Sequence, residues 1–216
     1  MTRPPSTRIL RNVGNDRVID FLREKLARGS RVDLATTALS IFALGELLPK
    51  LEAASAVSLL VPGDGLDPAA LLGDAHDRTA RNSLQSRWHA RRASRWFAGP
   101  VEVRAANDGV AQSAVIVSTK DGTPAAAVTG NCPLTSAGLG LAPSKRVSLV
   151  QAAEGEDVVT AYREWFLSTW SSLPPHTGAA LTSAVAELAA HTPPSRVYLA
   201  TLAQMFHDSF GARPTG

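Results

Sequence analysis

The stretch Arg31–Pro62, RVDLATTALSIFALGELLPKLEAASAVSLLVP, decides the fold. Its opening RVDLAT alternates, with Val32 and Leu34 on one face, as a half-buried strand does. Ser40 then precedes IFALGELLPKLEAA, in which Ile41, Leu44, Leu47, Leu48 and Leu51 recur at helical spacing and Ser40 takes the N-cap position. Pro49 falls inside that stripe, so a kink or a restart is expected there. AVSLLVP closes the stretch as a second, more deeply buried strand. Strand, helix, strand is the order of a sheet with crossover helices.

Upstream, Val18, Ile19, Leu22 and Leu26 mark a helix over Asp16–Leu26, and Gly29 ends the pattern. Downstream, VPGDGLDP is a Gly/Pro/Asp loop. It lacks the Lys of a P-loop and the ligand spacing of an EF-hand, which leaves a plain turn. An Arg-rich helix occupies Asp77–Phe97, and Gly99 and Pro100 punctuate it. VEVRA, AQSAVIVST and PAAAVTG read as three further strands, the last two joined by a hairpin turn at Lys120, Asp121 and Gly122, and RVSLVQ reads as a sixth. Three helices follow over Glu154–Trp170, Thr177–Ala190 and Ser195–Phe210, separated by Pro174, Pro175, Pro193 and Pro194. The expected fold class is α/β, a mixed central β-sheet flanked by helices with a C-terminal helical segment. Residues 1–171 are read as one α/β domain and 172–216 as a helical extension packed on it.

With 216 residues, 44% hydrophobic and 19% charged, the chain has the composition of a globular protein, which excludes disulfide miniatures, fibres and disordered tails. Its single cysteine, Cys132, cannot form an internal disulfide, and no Cys/His cluster has the spacing of a zinc site. MTRPPSTRIL has no apolar stretch of signal-peptide length, and no eighteen apolar residues run without a charge. A soluble protein of a reducing cytoplasm is expected, with no membrane contact, metal or other cofactor.

A net charge of +3 hides an uneven distribution. Residues 1–31 carry eight Lys/Arg against three Asp/Glu, and Asp77–Phe97 carries Arg78, Arg81, Arg87, Arg91, Arg92 and Arg95 against one Asp. Two basic segments therefore sit on a mildly acidic remainder, and local basic fields attract phosphate backbones even when net charge is small. In helical projection Arg78, Arg81, Arg92 and Arg95 share an arc of roughly 100° with Gln85, Trp88 and Trp96. That pattern fits a phosphate-gripping ridge with an aromatic in it. The plainer and preferred reading is a solvated helix whose Trp residues pack inward and whose arginines snorkel.

Taken together, the opening helix, RVDLATTALSIFALGELLPKL, SLQSRWHARRASRWF, the hairpin, TGNCPLTSAGLGL and the closing YLATLAQMF resemble the phospholipase D-like domain. The form resembled stands at the N-terminus of certain bacterial superfamily-two helicases and in phage-defence and DNA-modification clusters. The resemblance implies phosphodiester transfer. A His of an H-x-K motif attacks phosphorus, the Lys binds phosphate oxygens, and a G-S-x-N turn supplies an orienting polar group. Here the H-x-K place reads Gln112, Ser113, Ala114, and no histidine lies between His89 and His176. Gly130 and Thr135 match the turn, but Pro133 stands where the Asn belongs.

The resemblance therefore implies a catalytically degenerate copy that contributes nucleic-acid backbone contact, or holds a helicase or nuclease partner, in a bacterial DNA-targeting system. Arg78, Arg81, Arg87, Arg91, Arg92 and Arg95 are the expected contact residues. Lys145 and Arg146, beside the former cleft, join them. The alternative is an active phosphodiesterase or nuclease with relocated or dimer-completed catalytic groups. Other candidates have plainer readings. His89, His176, His191 and His207 read as surface or cap residues, and Glu154, Glu156 and Asp157 as a helix opening favoured by the macrodipole. Ser113 and Ser118 have no His in their segment, and Cys132 reads as buried and inert rather than as a reactive turn thiol.

Overall fold

The computed structural model describes residues 6–63, 68–73, 77–78, 86–99, 101–144, 148–175 and 177–190. Arg81, Lys145, Arg146, His176, His191, His207 and the helix expected over Ser195–Phe210 lie outside the described residues. Among the described residues seven strands form one open sheet. These are β1 (Ser6–Leu10), β2 (Arg31–Ala35), β3 (Ala56–Pro62), β4 (Val101–Ala106), β5 (Ser113–Ser118), β6 (Pro124–Gly130) and β7 (Val150–Glu154), in the order β1-β7-β6-β5-β2-β3-β4. Strands β2, β3 and β4 are parallel neighbours, whereas β2–β5, β5–β6, β6–β7 and β7–β1 pair antiparallel. The sheet is thus mixed, as the α/β reading requires.

Helices α1 (Val18–Lys25), α2 (Ile41–Leu51), α3 (Pro68–Leu71), α4 (Ser86–Phe97), α5 (Glu156–Ser172) and α6 (Ala179–Ala190) complete the described elements. Side chains alternate across β5, so Val115 and Val117 enter one core while Ala114 and Ile116 enter the other. The first core joins Val32, Leu34, Val57 and Leu59 to residues of α1, α2, α4 and α6. On the opposite face Ala35, Leu60, Ile116, Ala127 and Ala153 meet Val159, Phe166 and Trp170 of α5. Burial on both faces explains why the central strands are almost wholly apolar.

Local chemistry sets the element ends. The Ser40 hydroxyl accepts from the Phe42 amide at 3.3 Å, and α2 continues through Pro49 to Leu51. The expected kink or restart gives way because Pro49 lies in the last turn, where it forfeits a single backbone bond. Arg104 of β4 donates to the carbonyls of Trp170 and Leu173 at 2.7 and 2.9 Å and lies 4.6 Å from the centroid of the Trp170 ring, which satisfies the exposed C-terminal carbonyls of α5.

Two sequence readings need correction, and one strand has no counterpart among them. STRIL forms β1, an edge strand antiparallel to β7, because Arg8 and Ala152 and their neighbours pair despite an almost fully exposed, non-alternating pattern. The last strand runs over Val150–Glu154 rather than RVSLVQ, since pairing of Gly130 with Val150 and Ala126 with Glu154 sets its register. Glu154 consequently ends a strand and bonds Lys25 at 2.6 Å, and α5 opens after Gly155 with Glu156 and Asp157 exposed in its first turn. Leu181 and Val185 of α6 are buried in the first core, where α6 lies against α4.

Candidate functional site

Ser113 opens β5 directly opposite Gly130 at the end of β6, so the residues at the H-x-K place of the resemblance and the turn after β6 meet at one end of the central strands. Gln112 is exposed, and Ala114 is buried between Ala35 and Thr129. A methyl group therefore occupies the place where the resemblance puts a cation. Thr129 pairs in turn with Gln151, whose amide donates to the Tyr162 hydroxyl at 3.3 Å. From Ala35 to Gln151 this row carries no charged side chain.

The turn spends its polar groups on the scaffold. The buried Thr36 hydroxyl donates to the Ala38 carbonyl at 2.6 Å and accepts from the Leu134 amide at 3.0 Å. Thr135 accepts from the Gly138 amide at 3.1 Å and donates its own amide to the Pro133 carbonyl at 2.7 Å. On the other side of β5 the Thr37 amide donates to the Ser113 hydroxyl at 3.3 Å. Gly130 has φ +117°, and a Cβ built there would overlap the Leu149 carbonyl oxygen. Backbone geometry alone thus demands the glycine that matched the resemblance. Among the described residues no group of three or more His, Cys, Asp or Glu side chains is placed to hold a metal, and no helix is long and apolar enough to cross a membrane.

Helix α4 divides its residues by face. Ala90, Ala93, Trp96 and Phe97 are buried, and the helix packs against α2 and α6. Trp88 is 53% exposed whereas Trp96 is 5% exposed, so the two Trp residues expected on one arc part company. Eight residues at about 100° each leave roughly 80° between them, enough to cross from solvent into the core. Arg91 and Arg95 are exposed beside Trp88. Arg92 is bound at both ends of its guanidinium to Glu52, at 3.1 and 2.7 Å, and this pairing holds the Glu52 carboxyl below its usual range. Arg87 lies on the same helix, and Arg78 is exposed ahead of it.

His89 is not a surface residue. It packs edge-on to Phe42 and Trp88 at 5.6 and 4.9 Å, and its Nδ1 is buried with no hydrogen-bond partner among the described residues, beside Gly45, whose missing side chain makes the space. Burial lowers its pKa below 6.5, opposed by Glu46 and helped by Arg92. The unfolded chain therefore binds this proton more readily than the folded one. Stability should fall as pH drops through about 6.5 and below, a segment of the pH–stability curve that His89→Phe should flatten in urea titrations at several pH values.

Two further titratable groups, Cys132 and Asp33, are buried. Burial pushes the Cys132 thiol up to about 12, so it stays protonated at neutral pH and is no nucleophile. Asp33, which the sequence analysis did not single out, is buried on β2 with Arg163 at 3.8 Å. Burial raises its pKa despite Arg163 and the Ser58 hydroxyl. Only its midstrand charge in an apolar run could have flagged it.

No protein-family model and no curated protein matches the sequence. Among solved structures the chain is similar to Nuc from Salmonella typhimurium, described as a phospholipase D family member, at 10% identity and a TM-score of 0.48, over 80% of this chain and 98% of that one. It is also similar to NucT from Helicobacter pylori, at 9% identity and a TM-score of 0.49, over 79% of this chain and 98% of that one. A third similarity, at 13% identity and a TM-score of 0.41, is to TrmBL2, described as an archaeal chromatin protein with a novel mode of DNA binding, over 80% of this chain and 54% of that one.

Proposed function

We propose that the chain is a noncatalytic phospholipase D-like module that grips nucleic-acid backbone for a bacterial DNA-targeting system of defence or modification, working in the cytoplasm with a helicase or nuclease partner. The observation that carries this reading is the outward face of α4, where Arg91 and Arg95 stand exposed one turn apart beside Trp88. The inward face of the same helix is committed to the core, which leaves Arg91 and Arg95 facing solvent. Arg78 and Arg87 extend the charge along the chain, and Arg81, Lys145 and Arg146 join it by sequence. Gln112 and Ala114 support the noncatalytic part of the reading, because neither side chain offers a nucleophile or a cation to a phosphodiester. In this reading residues 1–171 form the module and 172–216 a helical extension, consistent with the packing of α6 on α4.

Binding of this kind is salt-sensitive and nearly indifferent to base sequence, since phosphate contacts position a protein without specifying a site. Replacing both Arg91 and Arg95 with alanine should reduce the slope of log affinity against log salt by about 1.5, roughly 0.7–0.9 for each lost contact. Gel shifts from low to moderate salt measure it. Absence of a shift with both single- and double-stranded DNA at low salt would remove the binding reading. Metal-independent cleavage of either substrate would remove the noncatalytic one.

A further inference from the structure

We infer that Trp88 is a stacking platform for an unpaired base, so that the α4 ridge takes single-stranded nucleic acid in preference to duplex; the inference rests on the phosphate-gripping reading of the same helix. An indole 53% exposed on a helix that buries another Trp and a Phe has not been left outside for want of a core to enter. Its orientation is fixed from two sides. The ring of His89, wedged against α2 at Gly45, meets it edge-on at 4.9 Å and 87°. The Arg92 guanidinium lies 5.4 Å from its centroid and is itself clamped to Glu52. The indole is therefore presented in a set orientation, which lowers the ordering cost of binding a flat ligand.

The surroundings name that ligand. Trp88, Arg91 and Arg95 fall within roughly 60° of one another in projection, so a planar π-face sits beside the exposed guanidinium groups of Arg91 and Arg95. Successive nucleotides of an unpaired strand offer this pairing of a flat base and a phosphate a few ångströms away. A duplex keeps its base faces stacked inside, so it offers an exposed indole phosphates and base edges but no face to stack on. Stacking tolerates any base, so the preference is for strandedness rather than sequence.

The test uses the full chain, a labelled oligothymidylate and a duplex of equal length, read by fluorescence anisotropy at fixed low salt. Trp88→Ala should weaken oligothymidylate binding about tenfold and duplex binding by less than about twofold. Trp88→Phe, which keeps an aromatic face, should lie between wild type and alanine, and quenching of intrinsic Trp fluorescence by the oligonucleotide should be lost in it. If Trp88→Ala weakens both ligands equally, or neither, while alanine at Arg91 and Arg95 still weakens binding, stacking is wrong and the phosphate reading stands. If the wild-type chain binds neither ligand, both readings fall together.

Discussion

Gly130→Ala is expected to lower the unfolding free energy by about 3–4 kcal/mol, a large share of the roughly 5–15 kcal/mol that holds a folded domain together. Two penalties combine at this position. Its φ of +117° lies where an L side chain is strained, and the added Cβ would strike the Leu149 carbonyl oxygen, which is backbone and cannot rotate aside. Relief requires β6 and β7 to part where Gly130 pairs with Val150, and the pairing of Gly130 with Ser113 shifts with it. Gly122 provides the control. Its φ is +92° but nothing lies near the site of a Cβ, so Gly122→Ala should cost only about 1–2 kcal/mol. Urea unfolding of the two variants decides the matter, and equal losses would show that the Leu149 carbonyl is not the obstacle.

The same glycine shows how far the sequence could be read. TGNCPLTSAGLGL shows a glycine at a turn, but not its approach to Leu149, because that contact depends on the register of β7. That register differs from the one RVSLVQ suggests. Leu149 looked like a strand residue and is exposed at 65%, whereas Ala152 and Ala153, poor strand formers in isolation, are buried by pairing with β1 and β6. By contrast the Ser40 cap, the alternation of β5 and the hairpin at Gly122 are local, and each stands where the residues place it. On α4 the helix and its arginines were legible. Which Trp faces water was not, because the arc alone does not say where α2 and α6 will lie.

The second large effect is expected at Phe166. Fully buried and stacked on Trp170 at 5.5 Å, it fastens α5 to the face of the sheet opposite α4. Phe166→Ala removes that contact and leaves a cavity among Ile116, Ala127 and Val159, for about 3–5 kcal/mol by urea or thermal unfolding. Because α4 belongs to the other face, the folded fraction of this variant should keep the wild-type salt slope for nucleic acid. A changed slope would mean that the two faces communicate, against the separation of their cores. The Gly130 variant, which disturbs strands shared by both faces, has no such protection.

The pairing of β1 with β7 also bears on biosynthesis. Ser6 must wait for Glu154 to leave the ribosome, an interval of roughly 7–30 s at ordinary elongation rates. A greasy segment held naked that long would recruit chaperones or neighbouring nascent chains. Ser6, Thr7 and Arg8 are instead hydrophilic and remain solvent-facing even after the strand has docked, so β1 tolerates the long wait for its partner.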